Sequence, residues 1–234
     1  MACEVFLKRG RCGKIYKLTE PNETLIRKEF SPALSANILN WFFYRSPHPA
    51  SVPSGWHYAY WKRRLAARLS RLVGEPIHIC DSLREDPDRA NAFLMKFVEG
   101  QPPKKSELTA IHQKADKLER FFHEIGMPTW SFSRRNPFSA DNFILSGGEI
   151  HIVDYEQSVP MPDLDRRIRY DEIDFKVLGG FLENNKKTIL ETLGPADAQE
   201  VENAFRLSLD YYSRTDFIPR ATTHALEKIL VKRR

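Results

Sequence analysis

Residues 136–156 read NPFSADNFILSGGEIHIVDYE and contain two short apolar runs separated by two glycines. Short apolar runs on either side of a Gly-Gly pair predict a β-hairpin. Asn142 stands where the first strand begins and Asp154 where the second strand ends, so the hairpin places an amide oxygen beside a carboxylate. Because Mg²⁺ prefers hard oxygen ligands, we predict a magnesium site at Asn142 and Asp154. Glu156 is either a further ligand of that ion or a surface charge.

The first thirty residues predict an antiparallel meander of three strands, with a turn that contains Gly10 and Gly13 between the first two. These glycines let the backbone approach a phosphate, although two glycines in a hairpin are more often only a turn. On the third strand, alternation places Ile26 and Lys28 on one face and Arg27 on the other.

The rest of the chain predicts helices and further strands, which indicates an α+β fold. A break at residues 99–103 is the best boundary between two regions, 1–99 and 100–234. The predicted strands cover 76–80 and 92–98, with a charged turn between them, and the predicted helices cover 31–44, a segment with Trp61, Leu65, Leu69 and Leu72 on one face, 106–125, 170–183, 186–193 and 195–214.

The net charge of +5 is unevenly distributed, because residues 31–74 contain no acidic side chain. A basic surface there favours an anionic partner such as a nucleotide phosphate, an acidic protein, nucleic acid or anionic lipid. The alternative is a solvated helix face. The basic residues of the segment are Arg45, Lys62, Arg63, Arg64, Arg68 and Arg71, and we place a possible acidic partner at the last three.

The sequence contains no apolar run long enough to span a membrane and no signal-peptide core near its start. We therefore expect a soluble, cytoplasmic protein, and export into another cell stays open. The three cysteines show no paired spacing, so we expect reduced thiols rather than disulfides or a zinc site.

In the order of these motifs, residues 5–215 resemble the protein-kinase-like superfamily, in the direction of bacterial atypical kinases, aminoglycoside phosphotransferases and lipopolysaccharide-core sugar kinases. The resemblance implies a two-lobed fold that binds ATP with Mg²⁺, with residues 1–99 as the N-terminal lobe. It also implies that Lys28 grips the α- and β-phosphates. Met95 then takes the gatekeeper position, and the backbone of residues near Lys96 and Val98 contacts adenine.

Two features depart from that family. Pro137 occupies the position of the usual catalytic Asp, five residues before Asn142, and the helix that normally offers Lys28 a glutamate has no acidic residue. Asp141 is the better replacement acid or base, since the other candidate, Asn136, has no titratable group. Arg134 and Arg135 either neutralise phosphate charge or form an exposed basic turn.

These observations favour an atypical phosphotransferase that acts on a protein or small-molecule hydroxyl. The second hypothesis is a pseudokinase that binds nucleotide and acts through a partner. The third is a basic nucleic-acid-binding protein that uses residues 62–71 and the basic C-terminal residues 232–234.

Overall fold

The computed structural model of the chain describes residues 3–10, 13–31, 34, 35, 38, 53–129, 131–134, 136, 139–155 and 173–214. Several predictions lie outside the described residues: those for Glu156, Pro137 and Arg135, and most of the predicted helix over 31–44.

A five-stranded antiparallel sheet occupies the N-terminal part of the chain, with strand order β1-β2-β3-β6-β5. The three-strand meander predicted from the sequence supplies three of its five strands. Its strands are β1 (Cys3–Arg9), β2 (Gly13–Thr19), β3 (Thr24–Phe30), β5 (Ser82–Glu85) and β6 (Ala92–Lys96).

The predicted hairpin forms a second, smaller sheet with strand order β4-β8-β7. Gly147 and Gly148 join the two strands of the hairpin, with φ angles of 59° and 86°. Such a pair of positive φ values suits a two-residue hairpin turn, and glycine adopts them without strain. The strands are β4 (Ile77–Ile79), which runs parallel to β8, and the hairpin strands β7 (Phe143–Ser146) and β8 (Glu149–Ile152).

Five longer helices complete the described fold: α1 (Pro53–Ser70), α2 (Leu108–Glu124), α3 (Phe175–Asn184), α4 (Lys186–Leu193) and α5 (Pro195–Arg214). Helix α2 buries the face that its sequence predicts, through Ile111, Ala115, Leu118 and Phe122. Helix α3 begins later than predicted because the Asp174 side chain accepts hydrogen bonds from the first-turn amides of Lys176 and Val177.

The main apolar core lies where α1, α2 and the C-terminal helices pack around the small sheet. A second cluster fills the space between the large sheet and α1, with Phe30, Tyr60, Phe93 and Met95 among its members. Helix α1 also packs along α5, so it contacts both the sheet region and the C-terminal helices. The candidate site lies where these parts meet.

The α+β prediction is confirmed, as are the helices at 186–193 and 195–214. One prediction is wrong: the segment taken as a charged turn contains strand β5, an edge strand whose Leu83, Arg84 and Glu85 are exposed. Charged residues are common on edge strands because they oppose pairing with other chains. None of the helices in the described ranges has the length and apolar character to cross a membrane.

Candidate functional site

Lys28 on β3 and Asp154, just after β8, are brought together from positions 126 residues apart, with 2.8 Å between Lys28 Nζ and Asp154 Oδ1. The Lys28 side chain is 7% exposed and that of Asp154 is 43% exposed. The lysine is thus held in place, whereas the carboxylate remains open to solvent. The pair therefore combines a buried cation with a carboxylate that is accessible from solvent.

Arg27, the neighbour of Lys28, points to the opposite face of β3, as strand alternation predicts. Its guanidinium donates to the carboxylates of Asp86 and Glu4. Burial alone lowers the pKa of Arg27, but these hydrogen bonds and charges outweigh it and raise that pKa above its ordinary value. Arg27 therefore belongs to a structural ion-pair cluster in which the Asp86 carboxylate is buried.

Asn142 ends a short 3-10 helix, Ser139–Asn142, directly before β7. Its backbone carbonyl accepts a hydrogen bond from the Val153 amide at 2.8 Å, which places it beside the residue that precedes Asp154. Its side-chain Nδ2 donates to the Ser131 carbonyl at 2.5 Å. Since Nδ2 is used in this way, Oδ1 is the amide atom suited to a cation.

Asn136 and Asp141, the two candidate replacements for the usual base, lie in different surroundings. Asn136 is buried, and its Nδ2 donates to the Ser131 carbonyl that Asn142 also contacts, at 3.1 Å. Asp141 is exposed within the 3-10 helix. Asn136 thus has a structural contact in the loop, and Asp141 is the one reachable from solvent.

Helix α1 contributes two buried cations that the sequence analysis assigned to a basic surface, and that assignment is wrong for both. Arg63 is fully buried and donates to the carbonyls of Cys80 and Val153, at 2.8 and 2.9 Å. Lys62 Nζ lies 5.2 Å from the centre of the Tyr155 ring. Backbone carbonyls and aromatic rings give no charge pattern in the sequence, so no sequence pattern indicated these contacts.

Apolar residues adjoin the Lys28–Asp154 pair. Met95 is buried in the cluster between the large sheet and α1, and Ile26, Val98 and Val153 pack against the same cluster. Arg63 Nη1 lies 3.4 Å from the Met95 sulfur, which links the predicted gatekeeper to α1. The next residue, Lys96, is exposed at the end of β6.

The glycine turn between β1 and β2 closes through a hydrogen bond from the Gly10 amide to the Gly13 carbonyl, at 2.8 Å. A Cβ atom on Gly13 would lie 2.0 Å from the Glu29 carbonyl oxygen, so the close approach of β3 requires glycine here. This packing explains Gly13 without a ligand, and a phosphate contact at Gly10 and Gly13 stays a prediction.

The segment predicted to separate the two regions lies against β7. Gln101 and Leu145 exchange backbone hydrogen bonds of 3.1 and 2.8 Å. A Cβ atom on Gly100 would lie 2.3 Å from the Leu145 carbonyl oxygen, so only glycine fits. An open cavity of about 420 Å³ lies beside this crossing, lined in part by Glu99, Lys104 and Ser146.

A histidine and a serine that the sequence analysis did not select meet at the 3-10 helix. His112 Nε2 on α2 lies 2.9 Å from Ser139 Oγ, and Ser139 is 2% exposed. Burial lowers the pKa of His112 below its ordinary value, and the nearby Arg134 lowers it further against the opposite effect of Asp116 and Glu119. The lowered pKa favours the neutral imidazole, which is the form that can accept a proton.

The arginines placed at a possible acidic partner find carboxylates within the chain. Arg64 contacts Glu200 on α5 at 2.6 Å, Arg68 contacts Asp81 at 2.8 Å, and Arg71 pairs with Asp197 on α5. Burial raises the pKa of Asp81, although Arg68 and Arg64 oppose the shift. Most of the charge on this side of α1 is thus matched by α5.

Comparison with models of known protein families and with curated proteins finds no match for this sequence.

Proposed function

We propose that the chain is an atypical kinase-like phosphotransferase that binds ATP with Mg²⁺ beside Lys28 and Asp154. The observation that carries the proposal is the 2.8 Å contact between these two side chains. A strand lysine suited to phosphate and a half-exposed carboxylate suited to a cation are what a metal-bound nucleotide requires. Ile26 and Val153, which are close to the pair along the chain, pack against the same apolar cluster as Met95 and Val98, and such a cluster suits a base.

Asn142 and Asp154 are the residues that would hold the ion. The described residues include no group of three or more His, Cys, Asp or Glu side chains arranged to bind a metal. An ion held by one amide and one carboxylate takes its other oxygens from phosphate and water, which is the usual state of protein-bound Mg²⁺. The ion would neutralise charge on the phosphates during transfer.

The experiment is a thermal unfolding series of the parent and of Asp154→Ala with ATP and Mg²⁺. A ligand that binds only the folded state at about 100 times its Kd adds about 2.7 kcal/mol of stability. We expect the parent to gain stability, and the gain to be lost in Asp154→Ala and after chelation of Mg²⁺. Equal gains in the two proteins would refute the proposed site.

Lys14→Met is the matched control. Lys14 lies on the neighbouring strand β2 and pairs with Glu29 of β3 at 3.6 Å. We expect it to retain the full response to nucleotide. Loss of the response in this variant would show that any cation removed from the sheet has the same effect.

A pseudokinase is the second candidate, and the observation that favours it is Pro137 in place of the usual catalytic Asp. Transfer of labelled phosphate to protein or small-molecule acceptors separates the two candidates. Binding of nucleotide without any transfer of phosphate or AMP would support the pseudokinase. A cytoplasmic location remains part of either proposal, as does the division into lobes 1–99 and 100–234.

A nucleic-acid-binding role is the least supported, because Arg64 and Arg68 are already engaged by Glu200, Asp81 and Asp197. When arginines bind the phosphates of a nucleic acid, the affinity for that nucleic acid falls steeply as the salt concentration rises. Strong, salt-dependent binding of nucleic acid that disappears on neutralising these arginines would restore that role. The same result with an acidic protein would support an acidic protein partner at these arginines.

A further inference from the structure

The His112–Ser139 pair supplies two groups that phosphoryl transfer needs, a hydroxyl and a base, in direct contact. The two atoms, Ser139 Oγ and His112 Nε2, lie 2.9 Å apart, which is within the range for proton transfer between a nucleophile and its base. In the sequence, Ser139 stands two residues after Pro137, which takes the position of the usual catalytic Asp in the resemblance to kinases.

The 3-10 helix connects this pair to the candidate metal site. Ser139 and Asn142 are its first and last residues, so at about 2 Å of rise per residue they lie roughly 6 Å apart along the axis. Both are buried, at 2% and 7% exposure. Asn142, a proposed ligand of the ion, thus lies one helical turn from the residue that carries the hydroxyl.

We propose that Ser139 is itself a phosphoryl acceptor and that His112 takes its proton. The inference rests on the proposed function, since the donor is ATP. Ser139 Oγ forms a bond to the γ-phosphorus, the bond from that phosphorus to the β–γ bridging oxygen breaks, and ADP leaves. The hydroxyl proton moves to His112 Nε2, so the products are phosphoserine, ADP and a protonated imidazole.

The lowered pKa of His112 is consistent with this role, because a neutral imidazole is ready to accept the proton. Burial of Ser139 has a further consequence for the kinetics. At 2% exposure the hydroxyl is out of reach of a second copy of the chain, so the proposal requires the γ-phosphate to enter from the nucleotide site of the same chain, and the reaction is intramolecular. Its rate constant should not change with protein concentration, and each chain should accept one phosphoryl group.

The test is incubation of the full chain with ATP and Mg²⁺, followed by intact-mass measurement and fragment sequencing. We expect one phosphoryl group per chain, located on Ser139, and none in Ser139→Ala. Ser139→Thr keeps a hydroxyl and should carry the group on threonine. Ser146→Ala removes a partly exposed hydroxyl on β7 and is the matched control, with modification at the parental rate.

His112→Gln tests whether His112 acts as a base or only holds Ser139 in place. Loss of a general base slows transfer by about 10²- to 10⁴-fold, and we expect a decrease in that range while stabilisation by ATP and Mg²⁺ is unchanged. Thermal unfolding without nucleotide shows whether each variant is folded. An unchanged rate in folded His112→Gln would overturn the assignment of His112 as the proton acceptor.

The two proposals fail in different ways. If ATP and Mg²⁺ stabilise the parent but no phosphate appears on Ser139, the inference about Ser139 is wrong and the nucleotide site stands. If the nucleotide gives no stabilisation and no phosphate appears, the proposed function fails and this inference fails with it.

Discussion

Arg27 and Lys28 are neighbours on β3 and are equally buried, at 6% exposure each, but their partners differ. Arg27 lies between Asp86, whose side chain is 1% exposed, and Glu4. Lys28 contacts Asp154, which is 43% exposed. In the first arrangement one carboxylate, Asp86, is shielded from solvent, and the exposed Glu4, at 39%, is a second partner. The second leaves a carboxylate accessible from solvent, so burial of the cation alone does not distinguish a structural pair from a candidate binding site.

The largest expected effect is on stability. Asp86→Ala removes the buried partner of Arg27 and leaves only the exposed Glu4. Breaking a buried ion pair costs about 3–5 kcal/mol when no partner remains, so we expect a loss at the lower end of that range. Asp154→Ala removes a half-exposed carboxylate and should cost on the order of 1 kcal/mol. Chemical denaturation of both variants measures the difference. Equal losses would show that the two pairs are not distinct in kind.

The next effect concerns nucleotide affinity. Lys28→Met removes a charged contact worth about 1.5–3 kcal/mol, which corresponds to roughly 10- to 100-fold weaker binding of ATP with Mg²⁺. Arg27→Met should change the affinity by less than about 3-fold, because its side chain lies on the other face of the sheet. Isothermal titration at a temperature where both variants are folded provides the comparison. A larger loss in Arg27→Met would place the ligand on the wrong face.

The smallest expected effect is a pH dependence of stability that arises from His57, which lies near the Arg27–Asp86 pair. His57 on α1 lies 2.9 Å from Glu85, the residue before Asp86, and stacks between Trp56 and Tyr211. Burial lowers the pKa of His57, against the opposite effect of Glu85. The unfolded chain therefore binds a proton first as the pH falls below about 6.5. Stability is fully present above that pH and decreases below it.

His57→Gln should reduce this loss of stability between about pH 6.5 and 5, measured by denaturation at several pH values. The change should stay below the roughly 1.4 kcal/mol that one pH unit represents, because the pair is partly exposed. His112 and His151 also have lowered pKa values, so part of the decrease in stability with falling pH should remain in His57→Gln. An identical slope in the variant would show that His57 has no share in it.

Much of this arrangement follows from local sequence patterns. The Gly147-Gly148 turn predicts the hairpin, and with it the closeness of Asn142 to Asp154. Strand alternation predicts that Arg27 and Lys28 point to opposite faces. Helical spacing predicts α2, α4 and α5 to within a few residues. In each case the signal lies within a few residues of the feature that it predicts.

The contacts that could not be predicted depend on distant parts of the chain. Arg63 donates to the backbone carbonyls of Cys80 and Val153, and a backbone acceptor cannot be recognised from the type of its side chain. Arg64 finds Glu200 only because α5 packs along α1, 136 residues later. His112 and Ser139 lie 27 residues apart and meet through the packing of α2 on the 3-10 helix. A single sequence contains no periodic signal for such pairs.

Gly100 and Gln101 hold the segment after β6 against β7. The chain passes β7 there with no side chain between the backbones and with two hydrogen bonds across the contact. A side chain at position 100 would push this segment away from Leu145, because its Cβ atom would lie 2.3 Å from the Leu145 carbonyl oxygen. One missing side chain thus sets how closely the segment that leaves the large sheet approaches the small sheet.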